Sequence, residues 1–496
     1  MNIRRRRLVL CGILLSAGGL MLIGVAALLA GPSLPPDQTI YLPIVNHRYN
    51  TRNFAHGRFG AAASSTELTR YLGLQPYDLS WFNLGWYLDW GVNAQPPEPY
   101  GMEYVQVIRL MQTTTPPYYA LVEPASWGEL AALVQARPND LYVVGNEPDS
   151  PFQDNMCPAA YVSAYHDVYT FIKGISPSTP VGIGGIVQPT PVRFRYLDTI
   201  WNTYQISYSQ RLPTDFWNIH AFILNETGGW GAFIPPCTDP AGAVTIGLDE
   251  LDRMDIFISR LQDFRQWMAA KGEREKPLYI TEYGILFPED YGYPNIPRVR
   301  DFMYATFDYF LGPQSISPTI GYPRDNNHLV QRWIWFSLAH DPYYMGGALF
   351  DPRTTPPTLT TLGQAWIDYV QQLTPTVNLM PYNAIANVPP DPRPVTATIQ
   401  LEVINNGGSA ISNGFYVTLY DQGGTPVSSE MTQDVRCCGR FSVATLLWPN
   451  LPPGIHTGHI RVDPDNRINE TNESDNEIEV IVTVLEHYTR LPLIVR

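Results

Sequence analysis

Eight short apolar runs, separated by longer segments with helical periodicity, constrain the fold of this chain more than any other feature. Several runs are continuously apolar, as expected for strands buried on both faces of a parallel sheet. The runs are Arg58–Ala63, Ser80–Trp86, Tyr104–Leu110, Leu141–Glu147, Val181–Val187, Phe216–Phe222, Leu278–Tyr283 and Gln331–Leu338. The strongest helical segments are Ala159–Ile175, Leu248–Lys271, Pro297–Leu311 and Leu359–Leu373. This alternation predicts an α/β fold, a (β/α)8 TIM barrel over residues 57–373, with a missing or distorted helix between the second and third strands.

The pattern changes after Leu373. A linker and first edge strand, over residues 374–394, is punctuated by Pro375, Pro389, Pro390, Pro392 and Pro394. The strand candidates that follow are Ala397–Ile404, Phe415–Tyr420, Phe441–Leu447, Gly458–Val462 and Glu477–Leu485. No helical segment interrupts them, so residues 395–486 are predicted to form an all-β, immunoglobulin-like sandwich, followed by a tail over residues 487–496.

The N-terminus predicts export. Four arginines, Arg4 to Arg7, precede an uncharged apolar stretch from Leu8 to Gly31, long enough to cross a hydrocarbon core of about 30 Å. Residues 1–31 are therefore a cleaved signal peptide or an uncleaved signal anchor, and residues 32–56 form a Pro-rich spacer. The arginines would stay in the cytoplasm. We expect an extracellular or cell-surface protein, with the membrane as a partner if the segment is retained.

Composition excludes one class of partner. The chain carries a net charge of -14, and no basic run follows the N-terminal segment. A nucleic-acid-binding protein needs a basic face, so no nucleic acid is expected as a partner. Hydrophobic residues make up 45% of the chain, enough for a sizeable core.

The cysteines are more consistent with disulfides than with a metal site. Beyond Cys11 there are four, and none has the CxxC spacing of a zinc site. Cys157 and Cys237 follow the fourth and sixth predicted strands, on the same face of the barrel. In an exported protein they would meet an oxidising compartment, where disulfides form. We predict that these two form a disulfide. Two arrangements are open for Cys437 and Cys438: a bond between these neighbours, or pairing elsewhere.

Two predicted strands end in a glutamate. Val143-Val144-Gly145-Asn146-Glu147-Pro148-Asp149 closes the fourth, and Leu278-Tyr279-Ile280-Thr281-Glu282-Tyr283-Gly284 closes the seventh. Barrel active sites lie where strands end at the C-terminal face, so both glutamates should point into the mouth. Glycoside hydrolysis needs one protonated and one ionised carboxyl group. A single such glutamate is usually structural, but the joint placement favours catalysis.

At these residues the chain resembles the clan A glycoside hydrolases. The resemblance implies that Glu147 is the acid/base, that Asn146 donates to a sugar hydroxyl and that Glu282 is the nucleophile. The segment Trp86-Tyr87-Leu88-Asp89-Trp90-Gly91 is similar to the second-strand motif of glycoside hydrolase family 128, which implies endo-β-1,3-glucanase activity. No cofactor and no catalytic metal are implied.

Four further residues are predicted to bind the substrate. His220 ends the sixth strand, where it could hydrogen-bond the sugar or orient Glu282; a core histidine is the alternative. Trp335 and Trp86 could form sugar platforms, with core packing as the alternative for each, and Asp89 lies beside Trp86. Tyr283 should face away from the mouth, because neighbouring residues of a strand point to opposite sides.

The C-terminal segment resembles the bacterial cell-adhesion-related domain, CARDB. Its signature is Val462-Asp463-Pro464-Asp465-Asn466-Arg467-Ile468-Asn469-Glu470-Thr471-Asn472-Glu473-Ser474-Asp475-Asn476-Glu477. This acidic run could bind Ca²⁺, but solvated turns are its commoner use. The resemblance implies possible contact with a cell surface.

The sequence therefore predicts a retaining glycoside hydrolase that cleaves a β-linked extracellular polysaccharide, such as β-1,3-glucan, by double displacement. Two alternatives share the same residues: a transglycosylase, and a catalytically inactive carbohydrate-binding or adhesion protein built on a hydrolase barrel. A barrel enzyme acting on other bonds would leave the two glutamates unexplained.

Overall fold

Eight parallel strands form a nearly closed barrel. The computed structural model describes residues 56–74, 78–285, 296–339, 346–389 and 394–486. The barrel strands are β1 (His56–Ala62), β2 (Leu84–Leu88), β3 (Glu103–Gln112), β5 (Leu141–Asn146), β6 (Val181–Gly185), β7 (Trp217–His220), β8 (Leu278–Tyr283) and β9 (Arg332–Trp335). Hydrogen-bonded pairing runs in the order β6-β5-β3-β2-β1-β9-β8-β7. Parallel bridges Gly182–Phe216 and Ile186–Ile219 join β6 to β7 and complete the ring.

Helices surround this barrel. They are α1 (Ser65–Tyr71), α2 (Trp127–Ala136), α3 (Pro158–Ile175), α4 (Pro191–Tyr208), α5 (Met254–Ala270), α6 (Ile296–Leu311) and α7 (Thr361–Val370). As predicted, no α-helix joins β2 to β3, and only a 3-10 turn at Pro99–Gly101 lies there. β3 instead pairs with the additional antiparallel strand β4 (Tyr119–Glu123), and the short pair β10 (Phe350–Asp351) and β11 (Thr358–Leu359) precedes α7.

In the barrel, two predicted boundaries differ from the structure by four residues or more. Residues Leu79–Phe82 form a 3-10 helix, so β2 begins at Leu84 and not at Ser80. The cause is local, because the Asp78 side chain caps this turn by accepting a 2.7 Å hydrogen bond from the Ser80 backbone N–H. Helix α5 begins at Met254, since the preceding residues from Leu248 to Glu250 form a separate 3-10 turn.

The C-terminal region is a seven-stranded sandwich of antiparallel sheets. Its strands are β12 (Leu379–Asn387), β13 (Val395–Asn405), β14 (Phe415–Asp421), β15 (Pro426–Thr432), β16 (Arg440–Leu451), β17 (Gly454–Val462) and β18 (Glu477–Val484). One sheet has the order β12-β13-β16 and the other β15-β14-β17-β18. Alternate residues of β13 and β16 are buried between the sheets, which is the period-two pattern of a half-buried strand.

The sandwich contacts the barrel at the N-terminal ends of the barrel strands. Glu103, the first residue of β3, accepts a 2.7 Å hydrogen bond from Arg440 and a 3.1 Å hydrogen bond from Arg332. The backbone N–H of Gly57 donates to the Gly408 carbonyl at 2.8 Å. The sandwich therefore covers the face opposite to the one where barrel active sites lie.

The predicted N-terminal segment, the spacer up to residue 55 and the C-terminal tail lie outside the described residues. Within the part of the chain that the structure describes, no helix is long and apolar enough to span a bilayer.

Candidate active site

Glu147 lies immediately after β5, where the backbone turns sharply. Its φ is +43°, and Gly145 before it has φ +92°. Left-handed geometry is costly for a residue with a side chain, and such residues are concentrated at functional sites. The turn is held in place by the Glu147 backbone N–H, which donates to the Gly185 carbonyl at 3.1 Å.

His220 lies between the two glutamates. Its Nδ1 is 2.8 Å from Glu147 Oε1, and its Nε2 is 3.5 Å from Glu282 Oε1. One oxygen of each carboxylate and a ring nitrogen of the histidine all lie within 4.8 Å of one another. The structure thus brings together the ends of the fourth, sixth and seventh barrel strands, where the sequence places these three side chains.

Trp90 is a fourth member of this cluster, and the sequence analysis did not single it out. It follows β2 with a φ of +61°, and its indole N–H donates a 2.7 Å hydrogen bond to Glu282 Oε1. The ring of Phe336, just after β9, packs on it at a centroid distance of 5.8 Å. The signal was present in the sequence, because Trp90 is the last tryptophan of the Trp86–Gly91 motif.

Burial dominates the electrostatics of the pair. It raises the pKa of Glu282 to about 7; the charge of Glu147 adds to this, while His220 and the Trp90 hydrogen bond oppose it. Burial alone would lower the pKa of His220, but the neighbouring charges of Glu282 and Glu147 and the hydrogen bond with Glu147 raise it overall. The imidazole can therefore carry a proton between two carboxylates.

A buried ion network holds the segment that follows Glu147. Asp149 is fully buried and forms an ion pair with Arg193 of α4. The same guanidinium donates to Glu226 Oε1 at 2.9 Å, and Asp149 also accepts from the Val187 backbone N–H at 3.2 Å. Because Asp149 is two residues from Glu147, this network fixes the turn that presents the Glu147 carboxylate.

A second buried carboxylate holds the preceding residue. Asp154 Oδ2 accepts from the backbone N–H of Asn146 at 2.8 Å and of Leu110 at 3.0 Å. Its other oxygen is paired with Arg109 at 2.7 Å. Asn146 is 4% exposed and adjacent to Glu147, so its backbone is fixed at the barrel mouth, where the resemblance places a donor to the sugar.

The structure does not bring the two predicted tryptophan platforms to the carboxylate pair. Trp335 is fully buried, and its indole N–H donates to the Gly347 carbonyl at 2.7 Å. Its ring packs against Tyr283 of β8 and Phe302 of α6. Trp86 is fully buried inside the barrel, where its ring lies 4.3 Å from the Arg332 guanidinium. Both tryptophans are core residues in this structure, which corrects their predicted place in the mouth.

Asp89 is engaged by protein groups. It accepts a hydrogen bond from the Tyr104 hydroxyl, and one of 2.6 Å from the Ser65 hydroxyl at the start of α1. These contacts fix the turn that carries Trp90. Tyr283 faces α5 and α6, as alternation along the strand predicts, with its ring near those of Phe257 and Phe310.

The trio Glu147, His220 and Glu282 is also the set of ligand-type side chains in the described ranges that lies close enough together to hold a metal ion. The same carboxylate oxygens, where no ion engages them, are placed for proton transfer and for nucleophilic attack.

The rim of the mouth carries a disulfide. Cys157, before α3, is bonded to Cys237 in the loop between β7 and α5, with a Cα separation of 5.3 Å. Cys437 and Cys438 form a bond between neighbours. The first of these crosslinks joins two long loops on the face of the barrel that carries the Glu147–Glu282 pair.

Comparison with known proteins gives one family match. Residues 378–480 match the model of the CARDB family, so the sandwich contains a CARDB domain. Among curated proteins, none matches the chain in sequence.

Three solved structures similar to this chain are β-1,3-glucanases of glycoside hydrolase family 128. The subgroup II endo-enzyme of Pseudomonas viridiflava is 17% identical with a TM-score of 0.39, covering 62% of this chain and 96% of its own. The subgroup I endo-enzyme of Amycolatopsis mediterranei, in complex with laminaritriose, is 17% identical with a TM-score of 0.38, covering 63% and 99%. The subgroup III curdlan-specific exo-enzyme of Blastomyces gilchristii is 17% identical with a TM-score of 0.38, covering 63% and 98%.

Proposed function

We propose that this protein is a retaining glycoside hydrolase that cleaves a β-linked polysaccharide outside the cell. The observation that carries the proposal is the pairing of Glu147 and Glu282, which have oxygens within 4.8 Å of each other at the ends of the fourth and seventh barrel strands. Carboxyl groups about 5–5.5 Å apart allow direct attack on the sugar, whereas inverting enzymes need roughly 6.5–9.5 Å to hold a water molecule. The 4.8 Å limit applies to one oxygen of each carboxylate, and oxygens this close fit the retaining range better than the inverting range, which supports double displacement.

In the first step, Glu282 attacks the anomeric carbon while Glu147 gives its proton to the departing oxygen. In the second step, Glu147 takes a proton from water while the water oxygen attacks the anomeric carbon, and the bond between that carbon and Glu282 breaks to release the sugar. His220 contacts both carboxylates and can hold or share a proton as the charge moves between them. Glu147 loses one proton in the first step and gains one in the second, so the site ends the cycle with the same number of protons as it began.

The raised pKa of Glu282 must be reconciled with its proposed role, because a nucleophilic carboxylate has to be ionised. In the free site, burial raises this pKa to about 7, which favours a protonated carboxyl group. The Trp90 N–H and a protonated His220 favour the ionised form. Positive charge that develops at the anomeric carbon also favours the ionised form, so the ionised state of Glu282 is stabilised most when the transition state forms.

The substrate proposal rests on the Trp86–Gly91 motif, whose resemblance to glycoside hydrolase family 128 implies β-1,3-glucan. An exported location is supported by the N-terminal apolar segment and by two disulfides, which persist in oxidising compartments. The CARDB domain would then act as a spacer or make contact with a cell surface.

The decisive experiment compares the wild-type protein with Glu147→Gln and Glu282→Gln on β-glucans, mannans and xylans. Both changes should lower kcat by at least about 1,000-fold, because each removes one step of the mechanism. Glu129→Gln, on the exposed surface of α2, is the matched control and should retain full activity. Wild-type activity in either active-site variant refutes the assignment, and an inactive wild-type protein that still binds glucan indicates a binding module.

Azide distinguishes the two roles. With an activated aryl glycoside, azide should rescue Glu282→Ala to give the glycosyl azide of inverted configuration, because azide replaces the missing nucleophile. It should rescue Glu147→Ala to give the product of retained configuration, because it attacks the glycosyl-enzyme. The opposite pattern of products would exchange the two roles. Transfer to an added oligosaccharide faster than to water would identify a transglycosylase.

A further inference from the structure

The loop between β17 and β18 concentrates negative charge in the CARDB domain. Residues 463–476 include five acidic side chains and one basic one. The loop borders a cavity of about 400 Å³, whose walls include Asp463, Asn466, Glu473, Ser474 and Asn476. Acidic loops are common without a ligand. Whether this loop is a binding site therefore depends on whether its buried oxygen atoms have hydrogen-bond partners.

Three oxygens of this loop are buried without a hydrogen-bond donor. They are Oδ1 of Asp463, of Asp475 and of Asn476. The clearest is Asp463, which is 1% exposed; its Oδ2 accepts from the Ile468 backbone N–H at 2.8 Å, whereas its Oδ1 has no partner. Burying an ionised oxygen without a partner is costly. A bound cation would remove that cost.

Two further carboxylates converge on one amide. Asn476 Nδ2 lies 2.9 Å from Glu470 Oε1 and 3.4 Å from Glu473 Oε2. Among the described residues, no ion pair uses Asp463, Glu470 or Glu473. Arg461 also lines the cavity, but its ion pair is with Glu477, and that of Arg467 is with Asp465.

We propose that this loop binds Ca²⁺ through Asp463, Glu470, Glu473 and Asn476. Ca²⁺ takes six to eight oxygen ligands from carboxylates, amide carbonyls and water in flexible geometry. A half-turn of the Asn476 amide would exchange Nδ2 for the unpartnered Oδ1, so that an oxygen faces the two glutamates. The loop has no His or Cys, so it lacks the ligands that favour Zn²⁺.

Such an ion would attach the loop to the start of the sandwich. Glu470 accepts from the Leu379 backbone N–H at the first residue of β12, Asp475 accepts from Asn378 Nδ2 at 3.1 Å, and the Thr471 N–H donates to the Val377 carbonyl at 2.9 Å. Because β12 is the first strand after the barrel, Ca²⁺ would stabilise the sandwich where the chain enters it. The proposal is independent of Glu147 and Glu282.

The test uses the full chain, with thermal unfolding measured in EGTA and in millimolar Ca²⁺ or Mg²⁺, and with terbium luminescence as a direct binding signal. We expect Ca²⁺ to raise the Tm by several degrees, and Mg²⁺ to have a smaller effect. Asp463→Asn keeps an acceptor for Ile468 but removes the charge, and should weaken binding by roughly tenfold or more. Glu479→Gln, an exposed carboxylate of β18, is the matched control and should bind as the wild type does.

Two results would overturn the proposal: a wild-type protein whose Tm and terbium signal do not respond to Ca²⁺, or a response of equal size in Asp463→Asn. If Asp463→Asn fails to fold, Glu473→Gln takes its place. Its side chain is exposed, so the variant should fold, and undiminished affinity in that variant would equally reject the site.

Discussion

The indole N–H of Trp90 donates a 2.7 Å hydrogen bond to Glu282 Oε1. The donor comes from the turn after β2 and the acceptor from the end of β8, 192 positions further along the chain. The bond stabilises the ionised form of a carboxylate whose pKa burial raises to about 7. In the proposed mechanism, Trp90 therefore acts on the group that must be ionised in order to attack the sugar.

Trp90→Phe should shift the pH profile of kcat/KM. The N–H favours the ionised form, so its loss raises the pKa of Glu282 further above its usual value. The acidic limb of the profile then moves to higher pH, by about one unit for a charged hydrogen bond of roughly 1.5 kcal/mol. Trp127→Phe, on helix α2, should leave the limb in place. An unchanged profile in Trp90→Phe would show that this hydrogen bond does not set the ionisation of the nucleophile.

His220→Asn should lower kcat and move the acidic limb in the same direction. The imidazole contacts both carboxylates, and its charge opposes the raised pKa of Glu282. Its loss should cost roughly 100-fold in kcat, at the lower end of the range for an acid/base group. The measurement is kcat and KM across the pH range for a variant whose Tm matches the wild type. His166→Asn, on α3, is the control, and a change in KM alone would assign His220 to substrate binding.

The barrel was predictable because its strands are continuously apolar. The predicted bounds of the seventh strand, Leu278–Tyr283, agree with those of β8. The errors occur where a side chain competes with the backbone pattern, as Asp78 does by capping the turn before β2. The edge strand β15 was missed because no apolar run marks it. The antiparallel strand β4 was also missed, although it contains the short apolar run Tyr119–Val122.

The carboxylate pair was predictable because strand ends define the mouth of a barrel. The aromatic residues were not, because both faces of a buried strand are apolar and the sequence does not show which one faces inward. The prediction for Trp335 failed for this reason. Trp335, the last residue of β9, faces the helices, while Phe336, one residue later, packs on Trp90. Trp90 itself depends on a left-handed turn, a conformation that its sequence context does not indicate.

Asp149→Asn should both destabilise the protein and slow the reaction. Asp149 and Arg193 are fully buried, so neutralising the aspartate breaks this pair and leaves Glu226 as the remaining carboxylate paired with Arg193. Breaking a buried pair typically costs about 3–5 kcal/mol. We expect a lower Tm and, in the folded fraction, a lower kcat because the Glu147 turn loses its support. Asp167→Asn, on α3, is the surface control.

The outcome that distinguishes a positioning role from a structural one is the kinetic pattern. If Asp149 only stabilises the fold, the active fraction of Asp149→Asn will have the wild-type kcat well below its Tm. If it positions Glu147, kcat falls at all temperatures while KM changes little, because an interaction that matters in the transition state has been lost.

The Cys157–Cys237 bond should contribute to stability more than to catalysis. It closes a loop of 80 residues, and crosslinks of this kind contribute about 2–4 kcal/mol, largely by restricting the unfolded chain. Cys157→Ser combined with Cys237→Ser should therefore lower the Tm by several degrees and leave kcat on short oligosaccharides near the wild-type value. Longer substrates should show a raised KM, because the crosslinked loops form the rim of the mouth. Peptide mass spectrometry without reductant checks the bond itself, and two free thiols at these positions in the wild-type protein would contradict it.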